Sequence, residues 1–205
     1  GQHFVEETIP EALASGVDYV IIGEGEEAIM ELLLAIEHNS DTSAIKGLAY
    51  LKDGKVFYTA SRDAQVDFDK LPIPDFSLVR YAKISLYPVA RIRGCGMDCE
   101  FCTVKGRPRY ASAERLLEQI SYLVETRDAR HFFIVDDLFG QQREETIKFC
   151  NMLKDYQDAL GVRLDLGVQI RLDKAKDSQL LSAMRQCGIN VIAIGYESPI
   201  EEELK

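Results

Sequence analysis

The chain has 205 residues, 46% hydrophobic and 28% charged, with 24 basic against 34 acidic side chains and a net charge of −10. That is length and apolar content for a sizeable core, yet apolar runs such as Tyr19-Val20-Ile21-Ile22 are far too short to span a bilayer. The acid excess argues against nucleic-acid binding by the whole surface, and five cysteines, three of them within residues 95–102, argue against a disulfide framework and for a reducing compartment with a metal or redox site. No basic-then-apolar leader precedes the first element, so a cytoplasmic location is expected.

In chain order, Pro10 to Ser15 reads as a short helix stopped by Gly16. Asp18 to Ile22 reads as a strand that runs into Gly23-Glu24-Gly25-Glu26, followed by an amphipathic helix from Glu26 to about Glu37. That glycine run matches a dinucleotide fingerprint, but Glu24, Glu26 and Glu27 place carboxylates where a pyrophosphate would sit, so phosphate binding is discounted. A hairpin follows, Gly47 to Leu51 and Val56 to Thr59, with Asp53-Gly54 in its turn. Residues 61–87, with Leu71-Pro72-Ile73-Pro74, read as an extended linker.

Beyond the linker the pattern becomes repeated strand–loop–helix units. The strands are Val89 to Arg93, Phe132 to Val135, Leu164 to Ile170 and Asn190 to Tyr196. The helices begin near Ser112, end near Leu160 before Gly161, and run from the Asp177 cap to Gly188. Strands alternating with helices specify an α/β fold with a parallel sheet, and four such units make a partial (β/α) barrel over residues 88–205. In such barrels the working residues lie where strands end. The four ends carry the cysteine loop, Asp136-Asp137, Gln169 with Arg171, and Glu197-Ser198. Asp137 has a competing reading as the cap of the following helix.

Cys95-x3-Cys99-x2-Cys102 lies on a loop flanked by Gly94 and Gly96. Three thiolates at these spacings suit a 4Fe–4S cube with one iron left open, whereas structural zinc wants four closed ligands and ferredoxins use four cysteines. Cys150 and Cys187 fall on apolar helix stripes and are expected to be core residues. The one basic stretch, Arg91, Arg93, Lys105, Arg107 and Arg109, surrounds the cysteines and reads either as an attractor for anions or as solvated charge.

Arg93-Gly94-Cys95-Gly96-Met97-Asp98-Cys99-Glu100-Phe101-Cys102 resembles the CxxxCxΦC signature of the radical S-adenosylmethionine (radical SAM) superfamily, where Φ is aromatic. The resemblance implies that Cys95, Cys99 and Cys102 hold the cluster and that its open iron chelates S-adenosylmethionine. The cofactor is then cleaved reductively to a 5′-deoxyadenosyl radical that abstracts hydrogen. It also implies that Phe101 lies by the adenine and that Asp136 or Asp137 holds the amino group, although they depart from the common Gly-Gly-Glu form. Arg171 would pair with the cofactor carboxylate, Glu197 would accept from the ribose, and Gln169 and Ser198 would line the same cofactor.

Residues 1–60 resemble the last βα unit of the Rossmann-like cobalamin-binding domain that precedes the radical domain in one subfamily, followed by the hairpin. His3 is expected to be a surface residue rather than a ligand. The resemblance further implies a cobalamin-dependent methyltransferase, a small-molecule substrate and a reductant such as flavodoxin or ferredoxin, with cobalamin bound in the intact enzyme and not by this piece. The chain is expected to be truncated at both ends, with self-association through open sheet edges. Two other classes stand beside this one: an iron–sulfur electron-transfer protein, and a metal-free or zinc-binding interaction module.

Overall fold

The computed structural model describes residues 7–62, 66–104, 107–198 and 200. The chain forms two compact units that divide between Val66 and Asp67. The first contains α1 (Ile9–Ala14), β1 (Tyr19–Ile21), α2 (Glu26–Glu37), β2 (Leu48–Lys52) and β3 (Lys55–Tyr58). Its sheet has the order β1-β2-β3 and both pairings are antiparallel, with Val20 opposite Ala49 and Tyr50 opposite Phe57. The strand of the expected βα unit is thus joined to the hairpin that follows it in one sheet. β1 is hydrogen-bonded to the hairpin itself, and no described strand of this unit runs parallel to it.

The physical reason lies in where the strands bury their side chains. Val20 and Ala49 pack against Ile9 and Leu13 of α1, while Leu48 and Ile45 pack with Leu32 and Ala35 of α2. The hairpin thus supplies the apolar partner that β1 needs. Its turn has Asp53 and Gly54 at φ of 51° and 73°, the left-handed pair that a two-residue loop requires. Helix α2 is less one-sided than its sequence suggests, because Met30, Leu33 and Ile36 are exposed.

The second unit begins with two single 3-10 turns, Phe68–Lys70 and Phe76–Leu78, capped by the side chains of Asp67 and Asp75. Residues 67–87 therefore belong to this unit: Phe68 is buried, Phe76 stands edge-on to Tyr87, and Asp69 accepts from the amide and hydroxyl of Ser112. The chain continues through β4 (Tyr87–Val89), β5 (Ile92–Arg93), β6 (Arg109–Tyr110), α3 (Ala113–Arg127), β7 (His131–Ile134), α4 (Arg143–Leu160), β8 (Asp165–Gln169), α5 (Ser178–Gln186) and β9 (Ile189–Ala193).

β4, β7, β8 and β9 form a four-stranded sheet in that order, every pairing parallel. One core cluster joins Leu116, Ile120 and Leu123 of α3, Phe132 and Ile134 of β7, Phe149 and Leu153 of α4, Leu166 and Val168 of β8, and Leu180 and Met184 of α5. The helix ends follow local chemistry. Ser112 caps α3, Asp177 caps α5 by accepting from the Leu180 amide at 3.0 Å, and Gly161 closes α4 at φ 63°. Among the described residues no helix is long and apolar enough to cross a membrane.

The expected single strand from Val89 to Arg93 is broken. β4 stays in the parallel sheet, while β5 turns away to pair antiparallel with β6. Side chains replace strand partners at the break: Gln119 bonds the Ala90 amide and carbonyl, and Asp136 accepts from the Arg91 and Ile92 amides at 2.6 and 2.8 Å. The cysteine loop hangs from this separate two-stranded ribbon.

Candidate functional site

The loop between β5 and β6 carries the three cysteines. Gly94 and Gly96 bend it at φ of 84° and 70°. A Cβ at Gly94 would lie 3.3 Å from the Arg107 carbonyl oxygen, and one at Gly96 would lie 3.1 Å from the Pro108 ring, so side chains at either place would crowd the loop's return. The Cys102 amide donates to the Cys99 carbonyl at 3.1 Å. Two backbone amides also point at sulfur, Met97 at Cys95 Sγ (3.5 Å) and Val104 at Cys102 Sγ (3.4 Å). Amide-to-sulfur bonds of this kind tune iron–sulfur centres.

A cavity of about 670 Å³ opens beside the loop, and it brings together all ten residues expected from the sequence. Cys95, Cys99, Cys102 and Phe101 line one side, and Asp136, Asp137, Gln169, Arg171, Glu197 and Ser198 line the strand ends. Phe133, Val135, Ile170, Leu172 and Tyr196 add apolar wall. A smaller cavity of about 370 Å³ lies between the Phe68–Phe76 segment and β4, and contains none of the cysteines.

The two aspartates hold the loop from below. Asp136 is 3% exposed and spends Oδ1 on the Arg91 and Ile92 amides, while its Oδ2 is buried and bonded to no other described group. Burial pushes its carboxyl up to about 6 against the pull of those two amides and of the Arg91 charge. Asp137 Oδ2 accepts from the Gly94 amide at 2.5 Å. Neither acid caps the next helix, which starts at Arg143 with Gln142 as its cap position.

The remaining strand-end residues face the cavity with looser ties. Phe101 is 71% exposed. Arg171 reaches Met97 Sδ at 2.8 Å and Asp173 at 3.4 Å. Glu197 sits in the left-handed region at φ 56°, and the Ser198 amide bonds the Tyr196 carbonyl.

Arg91 departs from the surface role expected of the basic stretch. It is 2% exposed, donates to the Ala111 carbonyl and to Gln142 Oε1, and burial pushes its guanidinium down from the usual range. Arg93 and Arg109 lie over the Phe68 ring at 4.7 and 5.4 Å. Lys105 and His3 lie outside the described residues. Cys150 and Cys187 are buried in the helix-covered core, where contact with Cys187 and then burial push the Cys150 thiol up. Sequence reasoning missed Gln141, whose amide donates to the Cys95 carbonyl at 2.6 Å, and Gln142. A polar pair just before a helix start carries no signal that separates such a contact from ordinary solvation.

Among the described residues no three Cys, His, Asp or Glu side chains gather about a single point, as one zinc ion would require. In an iron–sulfur cube each cysteine binds a different iron, so such a cluster does not require the three thiols to meet at one point. Two amides aimed at sulfur steady the loop's thiols, and Asp136 lines the cavity while its Oδ2 is buried and bonded to no other described group.

No family model matches the chain. It is similar to hopanoid C-2 methylase of Rhodopseudomonas palustris, with 27% identity over 92% of this chain and 34% of that protein. It is also similar to an anaerobic magnesium-protoporphyrin IX monomethyl ester cyclase of Cereibacter sphaeroides, with 25% identity over 93% of this chain and 33% of that protein. The chain thus spans about a third of the length of these relatives. Its fold matches the solved radical SAM methyltransferase TsrM of Kitasatospora setae, with TM-score 0.74, 19% identity and coverage of 95% of this chain and 40% of that one. It likewise matches the cobalamin-dependent radical SAM enzyme OxsB, with TM-score 0.75, 18% identity and coverage of 96% and 30%. The resemblance drawn from the cysteine motif is therefore met by proteins of that class, and this chain corresponds to a fragment of each.

Proposed function

We propose that this chain is the cluster-bearing segment of a radical SAM enzyme, most simply a cobalamin-dependent methyltransferase. The observation that carries the reading is the single cavity shared by Cys95, Cys99, Cys102 and the polar residues that follow β7, β8 and β9. When bound, a 4Fe–4S cluster with an open iron supplies a chelating site and an electron for S-adenosylmethionine. The three thiolates each hold one iron, and the amides of Met97 and Val104 steady two of the sulfurs. Phe101 offers an aromatic face for the adenine. Asp136 or Asp137, which both line the cavity, accepts from the cofactor's ammonium group, Asp137 with its Oδ2 already held by the Gly94 amide. Arg171 pairs with the carboxylate, Glu197 accepts from the ribose, and Gln169 and Ser198 complete the polar rim.

In this reading the four parallel strands are part of a (β/α) barrel, and residues 1–60 end a cobalamin-binding domain whose remainder belongs to the intact enzyme. The names of the methylase and of TsrM support methyl transfer as the outcome. A flavodoxin- or ferredoxin-like reductant would supply the electron in the cytoplasm. Anaerobic reconstitution of the full chain with iron and sulfide tests the ligand set. Wild type and the Cys150→Ala and Cys187→Ala variants are expected to take up iron alike, and Cys95→Ala, Cys99→Ala and Cys102→Ala to lose most of it. Equal uptake by all six proteins would refute the assignment.

A further inference from the structure

The loop after β7 touches the cysteine loop at two points, on either side of the Gly94–Cys95 pair. Asp137 accepts from the amide of Gly94, which belongs to the peptide plane before Gly94. Gln141 donates to the carbonyl of Cys95 at 2.6 Å, which belongs to the plane after Cys95. Between those planes lie only the backbone torsions of two residues, and Gly94 and Gly96, on either side of Cys95, both have a positive φ. Glycines at such positions leave the backbone free to turn, so without outside contacts the Cα–Cβ direction of Cys95 would be poorly fixed. Fixing both planes sets that direction. Gln141 is itself half-buried, and its neighbour Gln142 is held by Arg91, which shortens the reach over which the side chain has to be ordered.

We propose that Gln141 is a positioning residue: it aims the Cys95 thiolate into the cavity by clamping the Cys95 carbonyl, in concert with Asp137 on the Gly94 amide. The inference rests on the cluster reading for its purpose, while the clamp itself is a property of the metal-free chain. Because the contact is a neutral hydrogen bond in a partly buried setting, its loss is expected to open the loop by roughly fivefold.

The test uses the reduced, metal-free full chain and follows alkylation of each cysteine by iodoacetamide, read by peptide mass spectrometry. Gln141→Met keeps the length without a donor, Gln141→Glu keeps the shape without a donor, and Gln141→Lys restores a donor. Cys95 is expected to react about five times faster in Q141M and Q141E than in wild type and to return toward wild type in Q141K. Cys150, buried in the core, reports on unfolding and should stay protected throughout. After reconstitution, Q141M and Q141E should also lose iron to a chelator faster and alter the electron paramagnetic resonance of the reduced cluster. An unchanged Cys95 rate in both variants overturns the proposal, and so does acceleration of Cys95 and Cys150 together, which would make Gln141 a residue of the general fold. If wild type takes up no iron, the cluster reading fails and the alkylation result still decides the clamp.

Discussion

Replacing Asp136 probes the joint from which the cysteine loop hangs. Its Oδ1 accepts from two buried amides, those of Arg91 and Ile92, at 2.6 and 2.8 Å. Asp136→Ala leaves both donors without that acceptor, at about 1–3 kcal/mol each. A total near 4 kcal/mol is a large fraction of a domain's stability and corresponds to a fall in melting temperature on the order of 10 °C. Asp136→Asn keeps one acceptor oxygen and should lose less. The two variants also differ from wild type in pH dependence. Because burial raises the Asp136 carboxyl to about 6, the fold favours its neutral form. The stability this contributes is full below the ordinary carboxylate range and is lost as pH rises through about 6, in all about 3 kcal/mol. Urea unfolding of the full chain between pH 4 and pH 7.5, followed by circular dichroism, measures both effects. Wild type should weaken across that window relative to D136N, which lacks the titrating group. Equal profiles for the two, or a D136A variant as stable as wild type, would refute the role assigned to the carboxylate.

Other expectations follow from single contacts. Gly188→Ala should cost more than about 2 kcal/mol in chemical unfolding, because its φ is 93° and the new Cβ would strike the Leu164 carbonyl oxygen. Asp177→Ala removes the cap of α5 and one of the partners of Arg143, and a loss of about 1–2 kcal/mol is expected in the same assay. Exposed Val191 and Ile192 on β9, whose outer edge pairs with no described strand, predict self-association of this chain, so Val191→Lys should shift its sedimentation toward the monomer.

The parts of this molecule that were legible in the sequence are the local ones. Cysteine spacing, the Asp177 cap, the Gly161 stop and the polar residues after each apolar run all depend on neighbours within a turn or a loop, and the parallel order of the four strands follows from their alternation with helices. The antiparallel pairing of β1 with the hairpin was not legible, because pairing joins residues about thirty apart and depends on which apolar faces meet. The break at Ala90–Arg91 was hidden for a similar reason. It depends on side chains from Gln119 and Asp136, far along the chain, and the apolar pattern of residues 89–93 is the same with or without it. Arg91 looked like surface charge because nothing in its own neighbourhood announces Gln142 or the Ala111 carbonyl. The residues that line the cavity beside the cysteines were therefore readable as a set, and the contacts that brace the loop were not.

The most direct measurement of the central claim is electron paramagnetic resonance of the anaerobically reconstituted, dithionite-reduced full chain, recorded with and without S-adenosylmethionine. A three-cysteine cluster with one open iron should appear with about four irons per chain, and its spectrum should shift when the cofactor is added. A chain that binds no iron, or a reduced cluster whose spectrum is indifferent to S-adenosylmethionine, would contradict it.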